Sequence, residues 1–153
     1  MKILKKRWYL ILICLIAILA VLFMANPKCR VGLFVDVHGA ALEDRILSEN
    51  PDHRDSSRKM NSPYVPSYMG IRHFNTWEGE HDIIEFSLFA SGFGSETAYY
   101  GCYYSFDNVP VAFQNAPYDL VSIGDDWIWF GEGDNWGVTC HIRGNWYFYK
   151  ACF

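Results

Sequence analysis

Four acids fall close together at Glu78, Glu80, Asp82 and Glu85. Two carboxyl groups facing across a cleft can share general acid and base work, as in glycoside hydrolysis. Residues 78–85 are therefore where a small envelope hydrolase would keep its chemistry. A second acidic set, Asp125, Asp126, Glu132 and Asp134, surrounds the segment WIWFGEGDNWG. Oxygen-rich turns can hold calcium, but this spacing is not an EF-hand, and tight turns require Asp, Asn and Gly for their own reasons. His38, His53, His73, His81 and His141 show neither H-x-H nor H-E-x-x-H spacing. His141 follows Cys140, and adjacent strand residues point to opposite faces, so the two do not form a dyad. Ser91 lies in ASGFG rather than G-x-S-x-G, and no glycine-rich phosphate loop occurs. Nothing assigns a nucleophile and a base. The chain reads as a non-enzyme with no cofactor and no metal site.

Aromatic residues are the stronger signal. The last third of the chain carries Tyr99, Tyr100, Tyr103, Tyr104, Trp127, Trp129, Trp136, Trp146, Tyr147 and Tyr149. Consecutive strand residues alternate in direction, so these cannot all face one core. Tyr99, Tyr103, Trp127, Trp129, Trp136 and Trp146 are the candidates for an exposed strip. Such a strip would stack on the sugars of a cell-wall polymer or dock a membrane-protein partner. The plainer reading is cross-strand pairing, at about 0.2–1 kcal/mol per pair, with no ligand.

What must position these residues begins with the N-terminus. Trp8 to Ala25 reads WYLILICLIAILAVLFMA, 18 residues without a charge. A bilayer core needs roughly 17–25 apolar helical residues, so the stretch suffices as a transmembrane anchor. Lys2, Lys5, Lys6 and Arg7 precede it, and Asn26-Pro27-Lys28 end it. The positive-inside rule puts the N-terminus in the cytoplasm and the remainder outside. A secreted form after signal cleavage is the alternative, but the run is long for a signal peptide and Phe23-Met24-Ala25 is a poor small-x-small site. Residues 29–153 hold eight of the 13 cations and all 17 acids, a net charge of −9. Such a surface repels nucleic acid and anionic lipid headgroups.

Outside the span lie Cys29, Cys102, Cys140 and Cys152. An even count in an exported domain permits two disulfides in three pairings. Cys102, Cys140 and Cys152 fall in strand-like runs and are the candidates. Cys140 and Cys152 are nearest in sequence, but a hairpin about Arg143-Gly144-Asn145 does not set them opposite one another. Cys102 with either stays open, as does no bond at all.

The anticipated elements follow in order. Cys29–Asp36 is a short apolar continuation. His38–Ser48 is a short amphipathic helix capped by Asp36, with Leu42, Ile46 and Leu47 on one side. Residues 49–66 have the composition of a polar, proline-bearing linker. From about Tyr68 the period is two. Asp82, Ile84, Phe86, Leu88 and Ala90 form the core-facing set, and Ile83, Glu85, Ser87 and Phe89 the outer set. Strands follow at 98–106, 111–114, 120–123, 127–130, 136–142 and 146–153, separated by Gly, Asp and Asn turns. The last strand, WYFYKACF, must be paired internally, since a bare edge of that composition would aggregate. The fold class is α+β, mostly β: an N-terminal transmembrane helix, a short amphipathic helix, then an antiparallel β-meander. Its divisions are a basic tail over 1–7, the anchor over 8–25, a juxtamembrane segment over 26–66 and the β domain over 67–153.

Tyr99-Tyr100-Gly101-x-Tyr103-Tyr104-Ser105, Ala112-Phe113-Gln114, Gly131-x-Gly133-Asp134-Asn135 and Asn145-Trp146-Tyr147-x-Tyr149 carry a further indication. With the basic start and single span, they make the chain resemble a group of small membrane-anchored proteins of Gram-positive bacteria. The resemblance implies an extracytoplasmic α+β domain and carries over no activity and no site residue. The proline-bearing linker and the extra cysteines depart from that group. Together these signs point to a binding or accessory module of the cell envelope. The alternatives are the small hydrolase above and a structural subunit of a membrane complex.

Overall fold

The structure, a computed structural model, describes residues 2–49, 73–93 and 96–153. The expected linker over 49–66, the start of the β domain at 67–72 and His53 therefore lie, all but Glu49, outside the described residues. The chain divides into two units, Met1–Arg30 and Val31–Phe153.

In the first unit, α1 runs from Lys2 to Ala25, 24 residues, or about 36 Å at 1.5 Å per residue. Its described side chains, Trp8, Tyr9, Ile11–Leu22 and Ala25, are exposed. Among the described residues no single helix is long and apolar enough to cross a membrane. Ile11–Leu22 and Pro27–Ser48 meet that requirement only as a pair with a break between them. The second helix, α2, spans Pro27–Glu49, so helix begins 11 residues before the expected His38 and takes in the Cys29–Asp36 segment. The cap is Asn26, not Asp36. Asn26 Oδ1 accepts from the backbone N–H of Lys28 at 2.9 Å and of Cys29 at 3.4 Å. Pro27 ends one helix and opens the next, because a proline at the first helical position lacks only an N–H that has no partner there anyway.

From Val31 onward α2 belongs to the second unit. Val31, Phe34, Val35, Leu42 and Ile46 are buried at helical spacing and pack on the sheet. The strands are β1 (His73–Trp77), β2 (Ile83–Phe93), β3 (Glu96–Ser105), β4 (Val121–Ile123), β5 (Asp126–Phe130), β6 (Trp136–Arg143) and β7 (Trp146–Cys152). They form one antiparallel sheet in the order β1-β2-β3-β7-β6-β5-β4. The α+β, mostly β class holds, but the sheet is not a simple meander. Two hairpin runs, β1–β3 and β4–β7, meet where β3 pairs with β7. The final strand is thereby central, paired on both sides as its composition demands.

That topology forces the β3–β4 connection, residues 106–120, to cross a face of the sheet. The expected strand over 111–114 is part of this crossover and holds only a 3₁₀ turn, Phe113–Asn115. One sheet face packs on α2 through Ile84, Phe86, Leu88, Cys102, Tyr104, Cys140, Trp146 and Phe148. The other packs under the crossover through Ile83, Tyr103, Tyr147, Tyr149, Trp129 and Ala151, against Val111 and Ala112. Both faces are therefore core. Ile83, expected to point outward, is fully buried. A bulge between Ser87 and Phe89 then breaks the alternation, and Leu88 and Phe89 both pack toward the helix.

Sheet tyrosines pin the crossover. Tyr103 Oη accepts from the Val111 N–H at 2.8 Å, and Thr139 Oγ1 donates to the Val111 carbonyl at 2.8 Å. Tyr147 Oη donates to the Asn108 carbonyl at 2.9 Å. A loop lying on a sheet must satisfy its backbone groups there, and a tyrosine combines an apolar ring with a polar tip that can do so.

Candidate functional site

Glu85 sits near the start of β2 on the crossover side, between Asn75 of β1 and Tyr103 of β3. It is 2% exposed. Its Oε1 accepts from Tyr149 Oη at 3.0 Å and from Ser87 Oγ at 3.2 Å, and those two hydroxyls lie 2.8 Å apart. Two hydroxyl protons thus serve three close contacts. Oε2 has no hydrogen-bond partner, and neither has the buried Trp77 indole N–H. Burial raises the carboxyl above its ordinary value. The hydrogen bonds from Tyr149 and Ser87, and smaller contributions from the Gln114 backbone and the Trp77 side chain, oppose that rise without cancelling it. The Trp77 contribution is a near approach only, since its N–H does not meet bonding geometry. Burial likewise pushes the Tyr149 phenol up, and the neighbouring Glu85 adds to it.

Gly101 makes this cluster possible. It stands between Ser87 and Tyr149 across three strands. A Cβ there would run into the Phe86 carbonyl and approach the Tyr149 hydroxyl to 2.7 Å. The missing side chain lets the Tyr149 ring lie across β3 to reach β2.

Above the cluster is a cavity of about 410 Å³. Glu85 and Ser87 belong to its lining, with Asn75, Ala90, Thr97 and Gln114 as further polar or small groups and Tyr99, Phe113 and Phe153 as aromatic walls. Tyr99 and Phe113 stack with ring centroids 6.0 Å apart, and Phe153 meets them at 5.9 and 5.5 Å. Gln114 and Asn115, in the crossover, take left-handed φ of 56° and 54°. Non-glycine residues held so cost about 1–3 kcal/mol each and gather at functional sites. A concave, mostly apolar cavity with a perturbed ionisable group in its lining is the physical signature of a ligand site.

The expected aromatic strip is not one surface. Tyr103, Trp129 and Trp146 are buried in the two cores. Tyr103 stacks on Tyr147 at 5.2 Å, Trp146 meets Tyr104 edge-on at 5.3 Å, and Trp129 stacks on Tyr118 at 5.3 Å. Trp127 is half-buried beside Tyr147 at 6.3 Å, and Trp136 is half-buried with Lys150 Nζ 4.6 Å from its ring. Only Tyr99 among the six enters the cavity, at 39% exposed. The six lie on two faces: the crossover covers Tyr103 and Trp129, and Trp146 is on the opposite face, under α2.

The acidic run also separates. Glu78 and Glu80 are exposed, Asp82 accepts from the Gly79 N–H at 3.1 Å, and Glu85 alone lines the cavity. No second carboxyl faces it, so the two-carboxylate arrangement is absent among the described residues. His81 instead pairs with Asp107 at 3.2 Å. No group of three or more metal-ligating side chains occurs among the described residues.

None of Cys14, Cys29, Cys102, Cys140 and Cys152 is in a disulfide. Cys102 and Cys140 lie opposite Phe148 on its two sides, about 9.5 Å apart with β7 between them. A disulfide needs Cα atoms within about 7 Å. Cys152 lies opposite Ala98 and Trp136, four residues along the strands from Cys102 and Cys140, so no pair within the sheet is bridged.

Sequence reasoning reached Glu85 as one of four acids and missed Ser87, Tyr149 and Gln114. The signal for them was the ring-rich partner strand. Glu85 and Ser87 on β2 are in register, across β3, with Tyr147 and Tyr149 of β7, and share one buried face with them. No family model, curated protein or solved structure matches this chain.

Proposed function

We propose that this protein is a single-pass membrane-anchored binding module of the cell envelope. In this reading Trp8–Ala25 is the anchor, the N-terminus is cytoplasmic, and the acidic domain lies outside and holds a small ligand or a short stretch of cell-wall polymer over Glu85. The observation that carries binding is the cavity itself, with its aromatic walls and a buried carboxyl in its lining. The exposed apolar side chains of α1 and the four cations before Trp8 support the anchor, because apolar side chains left uncovered along a helix are better placed in lipid than in water. The same location is what the resemblance to anchored Gram-positive proteins implies.

The test has two arms. The full-length protein should stay with membranes after alkaline extraction, and protease added to intact spheroplasts should digest residues beyond 30. Full-length protein in nanodiscs should retain cell-wall material or a membrane extract component, and Tyr99→Ala should lower that retention. Retention equal in the wild type and the variant would remove the cavity from the account. Recovery of the protein in the soluble fraction would remove the anchor.

A further inference from the structure

We propose that the cavity over Glu85 takes a monocationic amine bearing an apolar or aromatic body. This rests on the reading of the domain as a binding module and adds the class of ligand.

The chemistry of the lining selects it. Glu85 is the ionisable acid of the cavity, and among the described residues neither Lys, Arg nor His contributes to the lining. Its Oε1 is occupied by two hydroxyls while its Oε2 has no partner. The groups facing it from the surrounding elements are Trp77 and Asn75 of β1, Ser87 of β2, Tyr103 of β3, Tyr149 of β7 and Gln114 of the crossover, with Cys102 on the far side of the sheet. None supplies a positive charge. A buried carboxylate without one is unstable, and an ammonium seated against this lining residue supplies the missing charge.

The walls suit the same ligand. Tyr99 and Phe113 line the cavity, and aromatic rings attract ammonium groups. The space of about 410 Å³ is within the roughly 300–1,000 Å³ range of small-molecule sites. The net charge of −9 over residues 29–153 draws cations toward the domain and repels anions. A neutral ligand would gain nothing from that field.

The experiment is calorimetric titration of the full-length protein in zwitterionic nanodiscs with benzylamine, benzyl alcohol and benzoate at millimolar concentration. Benzylamine should bind about ten-fold or more tightly than benzyl alcohol, and benzoate should give no heat. Glu85→Gln keeps shape and both accepted hydrogen bonds, and it should remove the preference for the amine. Tyr99→Leu, at a half-exposed wall, should weaken benzylamine by about two- to five-fold. Amine binding should release a proton below the value at which Glu85 ionises, so affinity rises with pH, and the heats should differ between buffers of unlike ionisation enthalpy. Benzyl alcohol binding as well as the amine, in wild type and Glu85→Gln alike, would overturn the amine while leaving the cavity a binding site. No heat from any of the three would overturn the cavity reading as well.

Discussion

A carboxyl group buried against a sheet needs a reason, and Glu85 supplies a measurable one. Its folded-state value lies above the ordinary 4.5, so the folded protein holds that proton more tightly than the unfolded chain does. The resulting stability is present in full below about pH 4.5 and is lost as pH rises through the folded value. Thermal melts of wild type against Glu85→Gln across pH 4 to 8 should therefore diverge, the variant gaining roughly 1–3 kcal/mol at the alkaline end. Parallel curves would mean that Glu85 is hydrated. Two neighbours carry their own predictions. Gly101→Ala drives a methyl group into the Phe86 carbonyl and the Tyr149 ring, and should cost about 1–3 kcal/mol in urea denaturation. Tyr103→Phe leaves the buried Val111 N–H without its acceptor, a loss of similar size, roughly 1–3 kcal/mol. Of these three residues Glu85 and Tyr103 stood out in the sequence by type, Tyr103 as part of an expected exposed strip rather than as a buried acceptor. Gly101 looked like any strand glycine, because the ring it must admit comes from residue 149.

Among the elements, the strands of the C-terminal half were legible because each is bounded by turn residues. Gly124 and Gly144 take positive φ of 63° and 49°, a region that glycine enters at little cost. The helix was legible only in its second half. Asn-Pro reads as a stop and is also the most favourable opening for a new helix, and local pattern cannot choose between the two. Asn26→Ala should therefore fray the first turn of α2, speeding amide exchange at Lys28, Cys29 and Arg30, at a cost of about 0.5–2 kcal/mol. Exchange should also rank the strands. The amides of β7, bonded on both sides, should be slowest, and those of β4, three exposed residues at the sheet edge, among the fastest.

At the scale of the whole molecule, the sheet of the Val31–Phe153 unit is covered on one face by α2 and on the other by its own crossover. This is how, among the described residues, a domain with so many aromatic side chains leaves few of them on its surface. Arg143 Nη2 donates to the Val35 carbonyl at 2.6 Å, and Gly39 lies against Trp146, so α2 is held on the sheet by close packing as well as apolar burial. Ile46→Ala, at a fully buried contact, should cost about 2–5 kcal/mol. For the proposed anchor, replacing Lys5, Lys6 and Arg7 together by Gln should leave part of the population with its C-terminal domain shielded from external protease. Orientation follows the excess of cations beside a span.

By itself the sequence determined the class of the fold, the turn-bounded strands, the charge asymmetry and the need to bury the last strand. These are properties of composition and of periodicities shorter than about ten residues. Only the tertiary structure decided that β7 lies between β3 and β6, that residues 106–120 roof the second face, and that Glu85, Ser87 and Tyr149 meet below one cavity. Strand alternation assigns a residue to a face but does not say what covers that face. In this chain the cover comes from a segment 20 to 35 residues away, whose path is fixed by which strands pair.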